Sequence, residues 1–252
     1  MKNSEPRAMQ QIRSVAVIMP IFNERRSVGA TVRAVGIFAQ QNPRYRFLFV
    51  DDGSGDGTDE ALREAIRLQN VGNITSFHCD RNRGKWAAIR TGAGQVEADA
   101  LCILDADLAY SLDHLPLIEE ALGSSDVAIG SRRLTPSRLR PSLRRHIMGE
   151  AFNRLVRLIL GLPYRDTQAG IKGFRLQAAR RLFGKSGIEG FGCDAEILFL
   201  AKKYGMRVTE IPAHVSDDHF YKKGKLKLIR DSAIMFSELL LIRLKDLSGR
   251  YD

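Results

Sequence analysis

The sequence predicts an α/β protein built on a mostly parallel sheet, and two observations support this prediction. Short apolar runs alternate with segments of helical spacing from residue 15 to residue 129. The first run, VAVIMPI at 15–21, is apolar throughout, as expected of a strand that is covered on both faces. Strands that alternate with helices form parallel sheets flanked by helices. We therefore expect a Rossmann-related architecture with a helical C-terminal elaboration.

The predicted elements follow one another with short connections. In the first half, strands are expected at 15–21, 45–50, 74–79, 100–104 and 127–129, and helices at 27–40, 58–68, 85–95 and 115–122. In the second half, helices are expected at 143–160, 177–183, 193–204 and 225–247, and a strand at 207–211. The segment YRDTQAGIKGF at 164–174 is predicted to be a loop, because it is polar and contains two glycines.

The composition narrows the functional classes. The apolar share of 44% and the charged share of 27% are ordinary for a soluble globular protein, and no run of 18 apolar residues predicts a membrane span. The three cysteines are far apart and indicate reduced, intracellular thiols rather than disulfides or a zinc site. The net charge of +10 favours an anionic partner. Since no nucleic-acid-binding module is recognisable, we expect no nucleic acid partner.

Acidic residues concentrate where predicted strands end. Asp51 and Asp52 end the second strand, and Asp105 and Asp107 follow the fourth. Ligands of open α/β sheets bind beyond the carboxyl ends of the strands. A pair of carboxylates with oxygen-only surroundings suits Mg²⁺ or Mn²⁺. Taken alone, however, the spacing of Asp105 and Asp107 is better explained by two acids that cap the next turn.

Two other loops at the same predicted edge are polar. The three glycines of VDDGSGDGT at 50–58 allow the backbone to approach a ligand, and Asp51 or Asp52 could accept hydrogen bonds from a base or a ribose. Asn23 and Glu24 follow the first strand and either cap the next helix or contact a ligand.

A basic segment follows the fifth strand. Residues 127–149 contain six arginines and no acid, and guanidinium groups suit phosphate. The six are Arg132, Arg133, Arg138, Arg140, Arg144 and Arg145. For Arg138 and Arg140 we prefer a solvated basic face.

Six motifs, taken in order, carry a family resemblance. They are VAVIMPIFNE, FVDDGSGDGT, NRGKWAAIRTG, LDADL, IGSRR and DTQAGIKGF. Together they make the chain similar to family 2 glycosyltransferases of the GT-A fold. More narrowly, the chain resembles the polyprenyl-phosphate sugar synthases of the dolichyl-phosphate mannose and dolichyl-phosphate glucose type. The resemblance implies a metal-dependent, inverting transfer of a hexose from a UDP- or GDP-sugar to a polyprenyl phosphate.

Two alternatives to this activity stay open. A family 2 transferase could instead act on a sugar hydroxyl, in polysaccharide or glycolipid assembly, and that chemistry needs a catalytic base. The chain could also be an inactive protein that binds a membrane or nucleic acid, which the net charge alone allows.

The resemblance also implies roles for individual residues. The metal, Mg²⁺ or Mn²⁺, is expected on Asp105 and Asp107. Many relatives carry a glutamine two residues beyond the second acid; this chain has Ala109 there, which leaves a third protein ligand open. The residues expected to bind the donor are Pro20, Phe22, Asn23, Glu24, Asp52, Asp80, Lys85, Asp105 and Gln168. The residues expected in catalysis are Asp107, Arg132, Arg144, Arg145 and Asp194.

The expected division of the chain has three parts. Residues 1–13 are a flexible N-terminus, 14–220 the GT-A glycosyltransferase domain, and 221–252 a basic amphipathic helix. Such a helix lies on an anionic membrane or packs on the domain as an ordinary surface helix, and a membrane-embedded partner subunit is a third alternative. We expect a cytoplasmic protein that associates peripherally with a membrane.

Overall fold

The computed structural model describes residues 11–134, 143–190, 192–215 and 228–252. For 143–148 and 228–233 the description covers the backbone alone. Several expectations concern residues outside these ranges. They are the flexible start of the chain up to residue 10, the roles of Arg138 and Arg140, and the domain boundary at residue 220.

A mixed sheet forms the centre of the described structure. Its strands are β1 (Val15–Ile21), β2 (Tyr45–Asp51), β3 (Ile74–His78), β4 (Ala100–Ile103), β5 (Val127–Ser131), β6 (Lys172–Arg175) and β7 (Val208–Pro212). They lie in the order β3-β2-β1-β4-β6-β5-β7. Strand β6 runs antiparallel to β4 and β5, and the other neighbouring pairs are parallel. The predicted mostly parallel sheet is thus confirmed.

Helices cover both faces of this sheet. They are α1 (Val28–Gln41), α2 (Thr58–Gln69), α3 (Lys85–Gly94), α4 (His114–Leu122), α5 (Leu143–Leu160), α6 (Leu176–Lys185), α7 (Cys193–Lys203) and α8 (Leu228–Leu247). Side chains alternate along β1: Val15 and Val17 pack in one core with α1, α2 and α4, whereas Ile18 packs in a second core with α3 and α5 to α8. Two buried faces explain why β1 is apolar throughout.

Strand β6 corrects the sequence prediction, which gave these residues to a loop. Lys172 and Gly173 made the strand hard to predict, because neither is a typical strand residue. Both have a structural reason. A Cβ atom at position 173 would lie 2.1 Å from Ile118 Cγ2 of α4, so only glycine fits. The Lys172 side chain is buried beside a carboxylate described below.

The order of the strands brings the polar loops together. Strand β1 lies between β2 and β4, so the strand order changes direction at β1: β2 and β3 lie on one side of it and β4 on the other. The carboxyl ends of β1, β2 and β4 therefore meet at one rim, which is where ligands of such sheets bind. This carboxyl rim carries the loops 22–27, 52–57 and 104–113.

The C-terminal helix α8 packs on α5 and α7. Its inner residues Leu239 and Ile242 are fully buried, whereas Leu240, Leu244 and Leu247 of the outer face are 44%, 62% and 83% exposed. None of the described helices combines the length and the apolarity needed to cross a membrane.

Candidate active site

The two acids after β4 lie on the carboxyl rim beside a lysine. Asp105 forms an ion pair with Lys85, the first residue of α3. Asp107 accepts a hydrogen bond from the backbone N–H of Ala109 at 3.0 Å, which stabilises the turn. Gly170 closes the other side, because a Cβ atom there would lie 2.5 Å from Asp105 Oδ2. The capping role and a ligand-binding role are therefore compatible for this pair.

A second ion pair stands behind the first. Asp194, in the first turn of α7, contacts the Nζ atom of Lys172 at 2.6 Å. Its other oxygen faces the indole N–H of Trp86 at 3.5 Å. The Lys172 side chain is 3% exposed, so loss of this carboxylate would leave a buried ammonium group without its ion-pair partner. Lys172 also donates a hydrogen bond to the carbonyl oxygen of Ala169, which fixes the loop before β6.

The two ion pairs form one electrostatic cluster. Although burial opposes the charged form of Lys85, the carboxylates of Asp105, Asp194 and Asp107 raise its pKa above the ordinary value. Among the described residues of this cluster, three carboxylates face two ammonium groups, those of Lys85 and Lys172. The carboxylate oxygens of this cluster are the kind of donor that a hard divalent cation such as Mg²⁺ or Mn²⁺ prefers.

A third pair joins the end of β5 to the loop before β6. Arg132 donates to both oxygens of Asp166, at 2.7 and 3.0 Å, in a two-pronged contact. Asp166 also accepts the backbone N–H groups of Arg132 and Gln168, each at 3.1 Å. Although burial opposes ionisation, Arg132 holds the pKa of Asp166 below its usual value. The Gln168 Nε2 atom is buried and has no hydrogen-bond partner among the described residues.

The loops after β1 and β2 support each other. The Asn23 backbone, at a φ of +54°, donates to Ser54 Oγ at 2.8 Å, and Asn23 Oδ1 accepts from Gly55 N at 3.2 Å. Glu24 accepts a hydrogen bond from the Ser27 hydroxyl before α1. Phe22 is an exposed aromatic side chain at this edge. The interpretation of Asn23 and Glu24 as helix caps is not supported, because the N-cap of α1 is Ser27 and no side-chain hydrogen bond caps this helix. Their contact with a ligand stays a prediction.

Asp52 braces the entry to α3. Its two oxygens accept the backbone N–H groups of Arg83 at 3.0 Å and Gly84 at 2.7 Å. Gly84 has a φ of +94°, a conformation that favours glycine, and Lys85 follows directly. Asp52 therefore determines where Lys85 meets Asp105. Asp80, also expected to contact the donor, is exposed after β3.

A separate acidic group lies beneath the loop after β2. Asp51, Asp59 and His78 have potential ligand atoms within 4.8 Å of one another. Hydrogen bonds already explain this group. Asp51 accepts from Ser54 N at 3.1 Å and contacts His78 Nδ1 at 3.0 Å. Asp59 pairs with Arg63 at 2.7 Å. We interpret the group as the support of the glycine-rich loop.

The structure brings most of the predicted residues to one rim. Asp105, Asp107, Lys85 and Asp194 share the central cluster. Arg144 and Arg145 lie in the first turn of α5, where only the backbone is described. Two residues outside the predicted set belong to the site, namely Lys172 and Asp166. Their only signal in the sequence was membership of the motif DTQAGIKGF.

The mixed sheet with its flanking helices is the GT-A fold. Solved structures of the same architecture include glucosyl-3-phosphoglycerate synthase from Mycobacterium tuberculosis in complex with UDP. It superimposes with a TM-score of 0.67 at 14% identity, over 91% of this chain and 80% of that chain. The same enzyme in complex with Mn²⁺, UDP and glucosyl-3-phosphoglycerate gives a TM-score of 0.66 at 12% identity, with the same coverage. At such identities the likeness concerns the fold.

The family model "Glycosyl transferase family 2" matches residues 16–183, and the chain belongs to this family. Glycosyltransferase AglD of Haloferax volcanii is 32% identical over 90% of this chain and 36% of its own length. The dolichyl-phosphate beta-glucosyltransferase of Dictyostelium discoideum is 27% identical over 93% of this chain and 75% of its own. The human dolichyl-phosphate beta-glucosyltransferase is 26% identical over 95% and 78%. The chain thus spans about a third of the first relative and about three quarters of the other two.

The Arg132–Asp166 pair gives a prediction about stability and pH. The folded pKa of Asp166 lies below the unperturbed value of 3.8, so the ionised carboxylate stabilises the fold above that pH. The stabilisation is lost as the pH falls through the folded pKa. We expect Asp166→Asn to lower the free energy of unfolding by about 1.5–3 kcal/mol at pH 7. Urea unfolding should show this difference shrinking below about pH 4.

The control for this measurement is Asp113→Asn, which changes an exposed carboxylate. It should leave stability nearly unchanged at both pH values. A difference between wild type and Asp166→Asn that stays constant down to pH 3 would contradict the role of the ionised pair.

Proposed function

We propose that this protein transfers a hexose from a UDP- or GDP-sugar to a polyprenyl phosphate with inversion at the anomeric carbon. One observation carries the proposal: Asp105, Asp107, Lys85 and Asp194 form a single charged cluster on the carboxyl rim of a family 2 fold. Relatives named dolichyl-phosphate beta-glucosyltransferase, which align with most of this chain, support the lipid phosphate acceptor and make glucose the first hexose to test.

The donor is assigned to the rim beside Asp105. We infer that Asp105 and Asp107 hold Mg²⁺ or Mn²⁺, with Ala109 contributing no side-chain ligand. Structures of the mycobacterial synthase with Mn²⁺ or Mg²⁺ and UDP support this choice of metals. The bound cation would offset the charge that grows on the leaving diphosphate. The residues proposed to contact the nucleotide-sugar are Pro20, Phe22, Asn23, Glu24, Asp52, Asp80, Lys85, Asp105 and Gln168.

Two of these contacts have specific structural support. The exposed ring of Phe22 offers an apolar surface to the nucleotide base. The buried Nε2 atom of Gln168 lacks an acceptor within the part of the chain that the structure describes, and a hydroxyl group of the sugar would supply one. Lys85 pairs with Asp105 in this structure, and its ammonium group is close enough to the rim to bind a diphosphate oxygen in place of that carboxylate.

The acceptor is proposed to be a phosphate because Asp194, the carboxylate that could act as a base for a hydroxyl acceptor, is already engaged. Both oxygens of Asp194 face hydrogen-bond donors, Lys172 and Trp86. A hydroxyl acceptor would need a base to remove its proton, whereas a phosphate is already an anion. Arg132, with Arg144 and Arg145 at the start of α5, supplies guanidinium groups for it. A sugar hydroxyl remains the second candidate acceptor, through Asp194 as the base.

The proposed reaction is a single displacement. An oxygen of the lipid phosphate bonds to the anomeric carbon as the bond from that carbon to the diphosphate oxygen breaks. The nucleoside diphosphate leaves with the bonding electron pair, and no proton moves. The protein holds the two anions in line and stabilises the leaving group. An α-linked donor therefore gives a β-linked product.

The metal assignment predicts the behaviour of Asp107→Asn. This variant should unfold at the same temperature as the wild type, because the amide oxygen can still accept the Ala109 N–H. It should lose sugar transfer into an organic-extractable lipid by about 100-fold or more, since one metal ligand loses its charge. Mn²⁺ binding in the presence of UDP, followed by electron paramagnetic resonance, should weaken in parallel.

The control is Asp113→Asn on the same loop, which should keep wild-type transfer and Mn²⁺ binding. A fully active Asp107→Asn variant would remove the metal assignment.

The outer face of α8 supports a further part of the proposal, that the protein docks on an anionic bilayer. Leu240, Leu244 and Leu247 expose their side chains on one stripe. In the sequence, Lys222, Lys223, Lys225 and Lys227 stand just before this helix. Basic amphipathic helices lie at the surface of anionic membranes. The acceptor lipid resides there, so docking would bring the rim to its substrate.

This docking predicts that Leu240→Gln/Leu244→Gln weakens co-sedimentation with vesicles that contain anionic lipid. The expected loss is about 10-fold or more in affinity, because each leucine loses a partly buried contact with the acyl chains. The control is Ile37→Gln/Leu68→Gln, which removes two exposed apolar residues from α1 and α2. Equal binding of the two variants would contradict docking through α8.

A further inference from the structure

The loop between α6 and α7 is attached to the C-terminal helix by a carboxylate. Glu238 of α8 accepts the backbone N–H of Gly192 at 2.7 Å. A Cβ atom at Gly190 would lie 2.0 Å from Glu238 Oε1, and one at Gly192 would lie 2.8 Å from Glu238 Cβ. Both glycines therefore permit the close approach of this side chain. Gly192 is the N-cap of α7, where a carboxylate is favoured by the helix dipole.

A second carboxylate holds the other end of the same loop. Glu196 is fully buried and accepts the backbone N–H groups of Gly187 at 2.9 Å and Ile188 at 2.8 Å. Its other oxygen accepts from Lys245 at 3.1 Å and from the Tyr251 hydroxyl at 2.5 Å. The loop is thus tied to α8 and to the C-terminal residues at two points.

The loop reaches the active site on its opposite side. Glu189 pairs with Arg83 at 3.4 Å and with Arg90 at 3.3 Å, on both sides of the first turn of α3. Two residues beyond Gly192 is Asp194, which pairs with Lys172. A displacement of the loop would therefore move the carboxylate of Asp194.

We propose that Glu238 is a positioning residue, which sets Asp194 for the transfer reaction by anchoring the start of α7 to α8. Glu238 touches none of the rim residues itself and acts through the Gly192 backbone. This makes α8, whose outer face we assign to the membrane, a structural part of the active site. The expected effect of Glu238 on kcat rests on the proposed function. The position of Asp194 can be observed whether or not the protein transfers a sugar.

The chain contains a built-in reporter of that position. Trp86 is the one tryptophan in the sequence. Its side chain is buried, its indole N–H faces Asp194 at 3.5 Å, and its ring packs edge-on against Phe183 at 5.8 Å. A shift of the start of α7 changes the polarity around this ring and its access to quenchers.

The experiment compares Glu238→Ala with Glu238→Gln and with Asp246→Ala. Asp246 is also an acid of α8, but it pairs with Lys203 at 2.7 Å and does not contact the loop. Glu238→Ala should shift the Trp86 emission to longer wavelength, increase quenching by acrylamide and lower kcat about 10-fold with the donor KM unchanged. Glu238→Gln keeps an oxygen that can accept the Gly192 N–H. In this variant the Trp86 emission, the acrylamide quenching and kcat should stay close to their wild-type values.

Asp246→Ala should lower the unfolding temperature while leaving the Trp86 emission and kcat unchanged. If Glu238→Ala leaves emission and kcat at wild-type values, or if Asp246→Ala changes both equally, the positioning role is overturned. If Glu238→Ala shifts the Trp86 emission but the wild-type protein itself shows no measurable transfer, Glu238 still positions the start of α7. That result would count against the proposed function.

Discussion

The ion pair between Lys172 and Asp194 is the interaction on which the rest of the rim depends. A buried ammonium group without a partner is strongly destabilising, by about 3–5 kcal/mol when its partner is removed. Lys172 lies in β6, the strand that joins the two halves of the sheet, and Asp194 begins α7. The pair therefore fixes a helix of one core to the middle of the sheet. The carboxylate of Asp194 also acts electrostatically on Lys85, so this structural pair is coupled to the Lys85–Asp105 pair at the rim.

Close backbone approaches complete this arrangement. Gly170 brings the loop before β6 against Asp105, and Gly84 turns the chain so that Lys85 begins α3 at the rim. Asp52 holds that turn with two backbone hydrogen bonds, while Gly190 and Gly192 admit Glu238 from the other side. Asp52 thus positions Lys85, and Glu238 holds the backbone of Gly192 at the start of the helix that carries Asp194. The functional groups lie in loops, but these loops are braced by buried acids.

The first half of the fold was predicted well, because β1 and β4 are continuous apolar runs, β2 contains the apolar stretch FLFV, and helical spacing follows each strand. Strand β6 was not predicted. Its Lys172 is buried because it pairs with Asp194, which is distant in the sequence. The roles of the acidic residues of α7 also depend on partners that are distant in the sequence. Asp194 and Glu196 are two residues apart on α7, yet one faces the rim and the other holds the C-terminal residues. Only the three-dimensional contacts distinguish them.

The acceptor is the point at which the account can be tested most directly. Purified protein would be given a UDP- or GDP-sugar, Mn²⁺ and either a short polyprenyl phosphate or the matching polyprenol, and the organic-extractable product would be quantified. Because Asp194 is already engaged by Lys172 and Trp86, we predict transfer to the phosphate alone, abolished by a chelator. Transfer to the polyprenol hydroxyl at a comparable rate would contradict the account and would make Asp194 a catalytic base.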